Sequence, residues 1–206
     1  MHQRSLAIRE QHLGPEHPHT ADSLNDLAIL YWQQSKYELA EPLYQRALTI
    51  REQRLGPDHP ATAQSLNNLA IIYKEQGKYE QAEPLYLRAL SIWEQHLGPE
   101  HPRTAANLNN LGELYWLQGK LEQAEPLYQR ALSIFEQHLG TEHPYTAEVL
   151  HGLAELYQQQ GKYEQAEPLY CRSLAIREKR LGPNHPETEV SRKAYTAFLS
   201  LVRLAK

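Results

Sequence analysis

The sequence predicts an all-α protein, a solenoid of stacked antiparallel helical hairpins. Three observations predict it. LGPEHP at 13–18 returns as LGPDHP at 55–60, LGPEHP at 97–102, LGTEHP at 139–144 and LGPNHP at 181–186, an interval of 42 residues. A second block keeps the same interval: YELAEPLY at 37–44, YEQAEPLY at 79–86, LEQAEPLY at 121–128 and YEQAEPLY at 163–170. Between the blocks, apolar residues recur at helical spacing, as in Leu66, Leu69, Ala70 and Tyr73. A fixed period of this size marks units that bury their apolar faces only against their neighbours.

The elements follow in order. Residues 3–13 align with 45–55, so residues 1–14 read as the second helix of a truncated unit. The chain is therefore expected to be the C-terminal piece of a longer array. Four full hairpins are expected at 18–55, 60–97, 102–139 and 144–181. In the unit from His59 to Gly98, Pro60 suits the first position of a helix, where its missing N–H costs nothing. Gly77 ends that helix by accepting the left-handed conformation. A second helix follows from Tyr79 to Leu97, burying Ala82, Leu85, Tyr86, Ala89, Leu90 and Trp93, until Gly98-Pro99 stops it. Pro84 deletes one hydrogen bond inside this helix and should bend its start; its equivalents are Pro42, Pro126 and Pro168. Residues 187–206 form one more helix, with Val190, Ala194, Ala197, Phe198, Leu201 and Val202 apolar. It has lost the repeat pattern, as a capping helix does. The glycines and prolines all fall on the period or inside helices, so 1–206 is expected to be a single array.

Composition narrows the function. The net charge of -4 offers no basic field, so no nucleic-acid partner is expected, nor an acidic membrane surface. No apolar run approaches the roughly 18 residues of a membrane span. The N-terminus does not read as a secretory signal. One cysteine, Cys171, excludes an internal disulfide and fits a reducing compartment, so the expected location is cytoplasmic.

Chemistry-bearing residues are mostly explained by the repeat. His17, His59, His101, His143 and His185 form a ladder, but packed helices sit roughly 8–10 Å apart and zinc–nitrogen bonds are about 2 Å. The ladder is expected to fix loops by hydrogen bonding, with no metal and no cofactor. Cys171 occupies a slot held elsewhere by Gln45, Leu87 and Gln129, and Glu41, Glu83, Glu125 and Glu167 read as a solvated face. No phosphate loop, HExxH or nucleophile elbow is present, and no enzyme is expected.

A small residue four after a leucine, a tyrosine three further on, then Ala82, Tyr86 and Ala89 resemble the tetratricopeptide repeat. The 42-residue period and the LGPxHPxT loop look like the variant of kinesin light chains and many bacterial signalling proteins. The resemblance implies a right-handed superhelix and a non-catalytic scaffold that binds a peptide or partner segment in its concave groove. It also implies that Asn68 and Asn110 hold a peptide backbone, since an amide donates and accepts at once. Asn25, Asn67 and Asn109 are further groove candidates, with Glu113 and His151. Trp32, Lys74, Trp116 and Gln158 share one variable register, and the tryptophans are candidate anchors. Because acidic residues dominate this face, a neutral to basic segment with an apolar anchor is the favoured ligand. The alternative is a structural or sensor segment of a larger bacterial signalling protein, packing on its own domains. Thin cover over Leu6 and Ile8 would then favour end-to-end self-association.

Overall fold

The computed structural model describes residues 2–204, and among these it contains ten α-helices and no strand. They are α1 (His2–Leu13), α2 (Pro18–Gln33), α3 (Tyr37–Leu55), α4 (Pro60–Glu75), α5 (Tyr79–Leu97), α6 (Pro102–Leu117), α7 (Leu121–His138), α8 (Pro144–Gln159), α9 (Tyr163–Leu181) and α10 (Pro186–Leu204). The helices form two compact units, one ending at Pro99 and one starting at Glu100. In the first, α2 pairs with α3 and α4 with α5, while α1 packs on α2 and α3 on α4. In the second, α6 pairs with α7 and α8 with α9, α7 packs on α8, and α10 closes against α9.

The loop motif builds every first helix. Each ladder histidine is the N-cap or stands just before the helix, and its Nδ1 accepts the N–H two residues on. The distances are 3.2 Å at His17, 3.1 Å at His59 and His101, 3.2 Å at His143 and 3.3 Å at His185. The imidazole thus does the work of the usual hydroxyl or carboxylate cap. The loop threonines Thr20, Thr62 and Thr146 donate back to the carbonyls of Gly14, Gly56 and Gly140 at 2.8, 2.8 and 2.9 Å.

First helices end in a left-handed residue: Gly77, Gly119 and Gly161 at φ 73° each, and Ser35 at φ 56°. The chain then bonds back from Lys36 N–H to the Tyr31 carbonyl, 2.9 Å, closing the expected C-terminal cap. Pro42, Pro84, Pro126 and Pro168 lie inside continuous helices on their exposed side, so the deleted hydrogen bond faces water.

Core packing follows the small–large alternation. In the first unit, Ala28, Ala40, Tyr44, Leu69 and Ile72 join α2, α3 and α4 in one buried cluster. Ala63, Leu66, Ala89, Ile92 and Trp93 join α4 to α5. Leu85 and Leu90 are only half-buried, whereas Ile92, absent from the expected stripe, is buried. In the second unit Ala154, Ala166, Tyr170 and Phe198 hold α10 against α8 and α9.

Two of the outer glutamates, Glu41 and Glu125, are a correction to the solvated-face reading, whereas Glu167 is exposed as expected. The Glu41 carboxylate accepts from Gln76 and Lys78 of the next hairpin at 3.0 and 3.1 Å. Glu125 likewise accepts from Tyr157 at 3.0 Å and Gln160 at 3.4 Å, and pairs with Lys162. Their side chains are only 22% and 25% exposed, because each spans the seam between successive hairpins. Arginines make a second ladder: Arg46 reaches Glu10 and the Pro15 carbonyl, and Arg88 reaches Glu52 and the Pro57 carbonyl. In the second unit Arg172 does this with Glu136 and the Thr141 carbonyl. α10 has left the repeat pattern, yet its Arg192 makes the equivalent pair with Glu178 and the Pro183 carbonyl.

Candidate functional site

The residues singled out by sequence lie along the first helices, and Asn25, Asn67, Asn68, Lys74 and Asn109 are buried there, contrary to the expected open groove face. In the first unit α2 and α4 meet through amides. Asn68 donates to the Asn25 side-chain oxygen at 2.8 Å and accepts from Gln64 at 2.9 Å and Asn67 at 3.4 Å. Asn25, Asn67 and Asn68 are all at least nine-tenths buried. The network spends one donor of Asn68 on the neighbouring helix α2 and both acceptor sites of its oxygen within α4. Lys74 is buried along its stem, with its ammonium 3.5 Å from Glu75. Trp32 stands 37% exposed at the end of α2.

Beneath this face lies Arg51, which sequence reading passed over. It is 6% exposed and donates to Asp22 of α2 at 2.9 Å, and to Ser65 and the Ala61 carbonyl of α4 at 2.9 and 3.0 Å. The arginine ties two adjacent first helices together from the second helix between them. A signal for it was present. The register reads Arg9, Arg51, Trp93, Phe135 and Arg177, and the next first helix offers Ser23, Ser65, Asn107, Val149 and Ser191 in step.

The second unit has a different face. α6 and α8 touch directly, because Gly112 and Gly152 flank the buried ring of Tyr128. A Cβ on Gly152 would lie 2.8 Å from that ring. The sequence places Gly152 where other copies carry Asn68 and Asn110, and the ring leaves no room for a Cβ here. Asn109 of α6 donates to Glu148 of α8 at 3.0 Å, and Asn110 is half-buried beside it. Trp116 is half-buried, and its indole nitrogen has no hydrogen-bond partner. Gln158, in the tryptophan register, accepts from Tyr170 at 2.8 Å.

Electrostatics set this second face apart. Burial, reinforced by Glu113, raises the Glu155 carboxyl to about 7, against a smaller pull from Arg177. Burial, then Arg177, lowers His151 to about 4, so it is neutral at physiological pH; its Nε2 lies 3.6 Å from Glu155. Burial and the charges of Glu113, Glu155 and Glu148 hold the Tyr128 hydroxyl well above its ordinary range. Arg177 is 6% exposed and donates to Ser191 at 2.5 Å and the Glu187 carbonyl at 3.3 Å, repeating the role of Arg51. Sequence reading named Glu113 and His151 here, and Glu155 and Arg177 complete the group.

Elsewhere the cavities belong to the repeat. Clefts of about 630 and 620 Å³ open beside Pro42 and Pro126, lined by the same registers in both units. Among the described residues no three His, Cys, Asp or Glu side chains come together as a metal site would require, and no helix is long and apolar enough to cross a membrane. Cys171 is exposed.

Comparison with known proteins supplies the context. The tetratricopeptide repeat matches residues 1–53, 32–95, 69–137, 118–179 and 145–196. A 42-residue stretch is 55% identical to nephrocystin-3 of Xenopus laevis and to that of Homo sapiens, covering 20% of this chain but 3% of either protein. The chain thus spans a small fraction of the length of those relatives. Among solved structures it is similar to BtubC (BKLC) from P. vanneervenii, with TM-score 0.78 and 25% identity over 97% of this chain and 80% of that one. It is also similar to a Podosopora anserina kinesin light chain protein with nearly identical TPR-like repeats, with TM-score 0.70 and 27% identity over 91% and 95% of the two chains.

Proposed function

The chain belongs to the tetratricopeptide repeat family, whose members generally mediate protein–protein interaction, and from that premise we propose that it is a non-catalytic scaffold holding a partner segment against the exposed faces of its first helices. The observation that carries the reading is where the copies diverge. Loops, caps and seams repeat from unit to unit, while the registers flanking the apolar stripe pass through Asp26, Asn68, Asn110 and Gly152, and through Trp32, Lys74, Trp116 and Gln158. Architecture needs sameness, so recognition falls to the positions that vary.

Each face has its own chemistry. On α2 and α4, Asn25, Asn67 and Asn68 form a linked amide strip, the group type that both donates to and accepts from a peptide backbone. Trp32 offers apolar area at its edge. On α6 and α8, Asn109, Asn110, Glu113, Trp116 and His151 present an acidic floor with an aromatic neighbour. The ligand that fits is a neutral to basic segment with an apolar anchor, and an intracellular setting suits the free thiol of Cys171.

A peptide-library selection on the whole chain tests this, repeated with the Trp32→Ala/Trp116→Ala double variant. Enrichment of basic segments with aromatic or aliphatic residues, weakened about tenfold in the double variant, is expected. Enrichment of acidic segments, or binding indifferent to both tryptophans, would refute the anchors and the charge preference.

A further inference from the structure

Where the first unit carries Ile29 and Ile71, the second carries Glu113 on α6 and Glu155 on α8. The exchange puts carboxyl groups into a register that is half-buried in all four hairpins. It also puts them on helices that touch directly, where Gly112 and Gly152 border the Tyr128 ring. The two groups feel each other: Glu113 reinforces the burial that holds the Glu155 carboxyl up at about 7. A carboxyl raised in this way costs the fold stability at neutral pH, and the isoleucines of the first unit carry no such cost. Groups kept at such a cost gather where a protein binds or reacts.

The groups that face Glu155 are occupied elsewhere or carry the wrong charge. On its own helix, the His151 Nε2 lies 3.6 Å away, but burial lowers that imidazole to about 4, so it brings no charge. Glu148, two turns earlier on α8, accepts from Asn109 of α6 at 3.0 Å. On α9, Arg177 lowers Glu155 only weakly, because its guanidinium donates to Ser191 and to the Glu187 carbonyl of α10. Tyr170 of α9, whose proton Glu155 helps to hold, donates to Gln158. Tyr128 of α7 also keeps its proton, and Glu113 of α6 is a further negative charge. Among the described residues no lysine or arginine forms an ion pair with Glu155, and its side chain stays 32% exposed. A cation that pairs with it has room to come from a partner.

We propose that Glu155 receives one lysine or arginine of the partner on the second face, and that the incoming cation displaces the carboxyl proton to solvent. The inference rests on the scaffold reading and names the group behind its preference for basic segments. Charge balances: the ligand's ammonium or guanidinium stays protonated, Glu155 ends as carboxylate, and one proton passes to the buffer. Glu113 supplies the negative charge that disfavours ionised Glu155 in the empty site and favours the seated cation. Capture of a basic partner therefore strengthens as pH rises through 7 and weakens on acidification. His151 stays neutral across that range and takes no part in the change.

The test is calorimetric titration of the whole chain at pH 6 and pH 8, each in two buffers of different ionisation enthalpy. The probe is a short capped peptide with two leucines flanking a central lysine; in the control the lysine is acetylated. Glu155 is ionised in about a tenth of free chains at pH 6 and about nine-tenths at pH 8. The lysine peptide should therefore bind about tenfold tighter at pH 8 and release close to one proton at pH 6. Glu155→Gln should bind it about tenfold more weakly than wild type at pH 8, and equally at both pH values. That variant loses the destabilising carboxyl and should keep its helical circular dichroism, so its weaker binding reports the site. The acetylated control should bind weakly at both pH values. Wild-type affinity that ignores pH, the same pH dependence in Glu155→Gln, equal binding of the two peptides, or no binding of the lysine peptide overturns the proposal. If library-selected basic segments bind but respond neither to pH nor to Glu155→Gln, the scaffold reading stands and this inference falls. If neither source yields a ligand, both fall.

Discussion

Replacing Gly152 by alanine tests whether the second face is shaped by packing around Tyr128. A methyl group there would lie 2.8 Å from Cε1, 2.9 Å from Cζ and 3.0 Å from the hydroxyl oxygen of Tyr128. Carbon atoms rest at about 3.5–4.0 Å, so the overlap is on the order of 0.7 Å. The ring cannot retreat. It is 2% exposed, enclosed by the surrounding helices. Overpacking of this kind costs about 1–3 kcal/mol. Removing a glycine from a helix interior returns about 1 kcal/mol. The net expectation is a loss of about 1 kcal/mol, whereas helix propensity alone predicts a gain of the same size. Urea unfolding followed by circular dichroism reads the sign from the midpoint at constant slope. In a Tyr128→Leu background the clash is gone, so Gly152→Ala should become stabilising there, with a coupling of about 1–3 kcal/mol. A stabilising Gly152→Ala in the wild type, unchanged by Tyr128→Leu, would refute the reasoning.

Ser35 holds at φ 56° the left-handed position that glycine fills in the other copies, so Ser35→Gly should raise stability by about 1 kcal/mol, read from the same urea midpoints. His59→Ala removes the imidazole that accepts the Ala61 N–H and should cost about 1 kcal/mol, while His59→Asn should keep most of it; thermal melts of both compare directly. Burial and Glu113 hold the Glu155 carboxyl up at about 7, above its ordinary 4.5, so the folded state keeps a proton that the unfolded chain releases. Its contribution is present at low pH and is lost as pH rises through 7; Glu155→Gln should gain on the wild type by on the order of 1 kcal/mol between pH 5 and 8, its partly wet carboxylate discounting the shift. His151 runs the other way: lowered to about 4 from 6.5, it costs stability as pH falls from 6.5 toward 4, and His151→Gln should flatten that acid limb.

Much of the fold was legible because the repeat multiplies every local signal. Helix starts at His-Pro and breaks at Leu-Gly can be read five times over and stops at Gly or Ser35 four times, and each has a cap or turn behind it. The 3.6-residue period located the side of the first helices, but not its exposure: Asn25, Asn67, Asn68, Lys74 and Asn109 are buried there, while Trp32 is exposed. What the sequence concealed are contacts between elements far apart in the chain. Arg51 and Arg177 draw no notice in the sequence, and their role is set by seryl and carbonyl partners on the next helix. Glu41 and Glu125 looked solvated because their partners lie 35–37 residues away. Gly152 lies against an aromatic ring on another helix, a contact that its own helix pattern does not display. In α10 the apolar count was right, but one helix holds two stripes, and only packing on α9 tells the buried one from the exposed one.

The central claim is that recognition belongs to the exposed faces of the first helices and the seams and loops only support it. Hydrogen exchange of the chain with and without a library-selected peptide tests it most directly. The account predicts new protection in the first helices α2, α4, α6, α8 or α10, with α3, α5, α7 and α9 unchanged beyond their ends. Protection centred on the second helices, around Gln45, Leu87, Gln129 and Cys171, would contradict it.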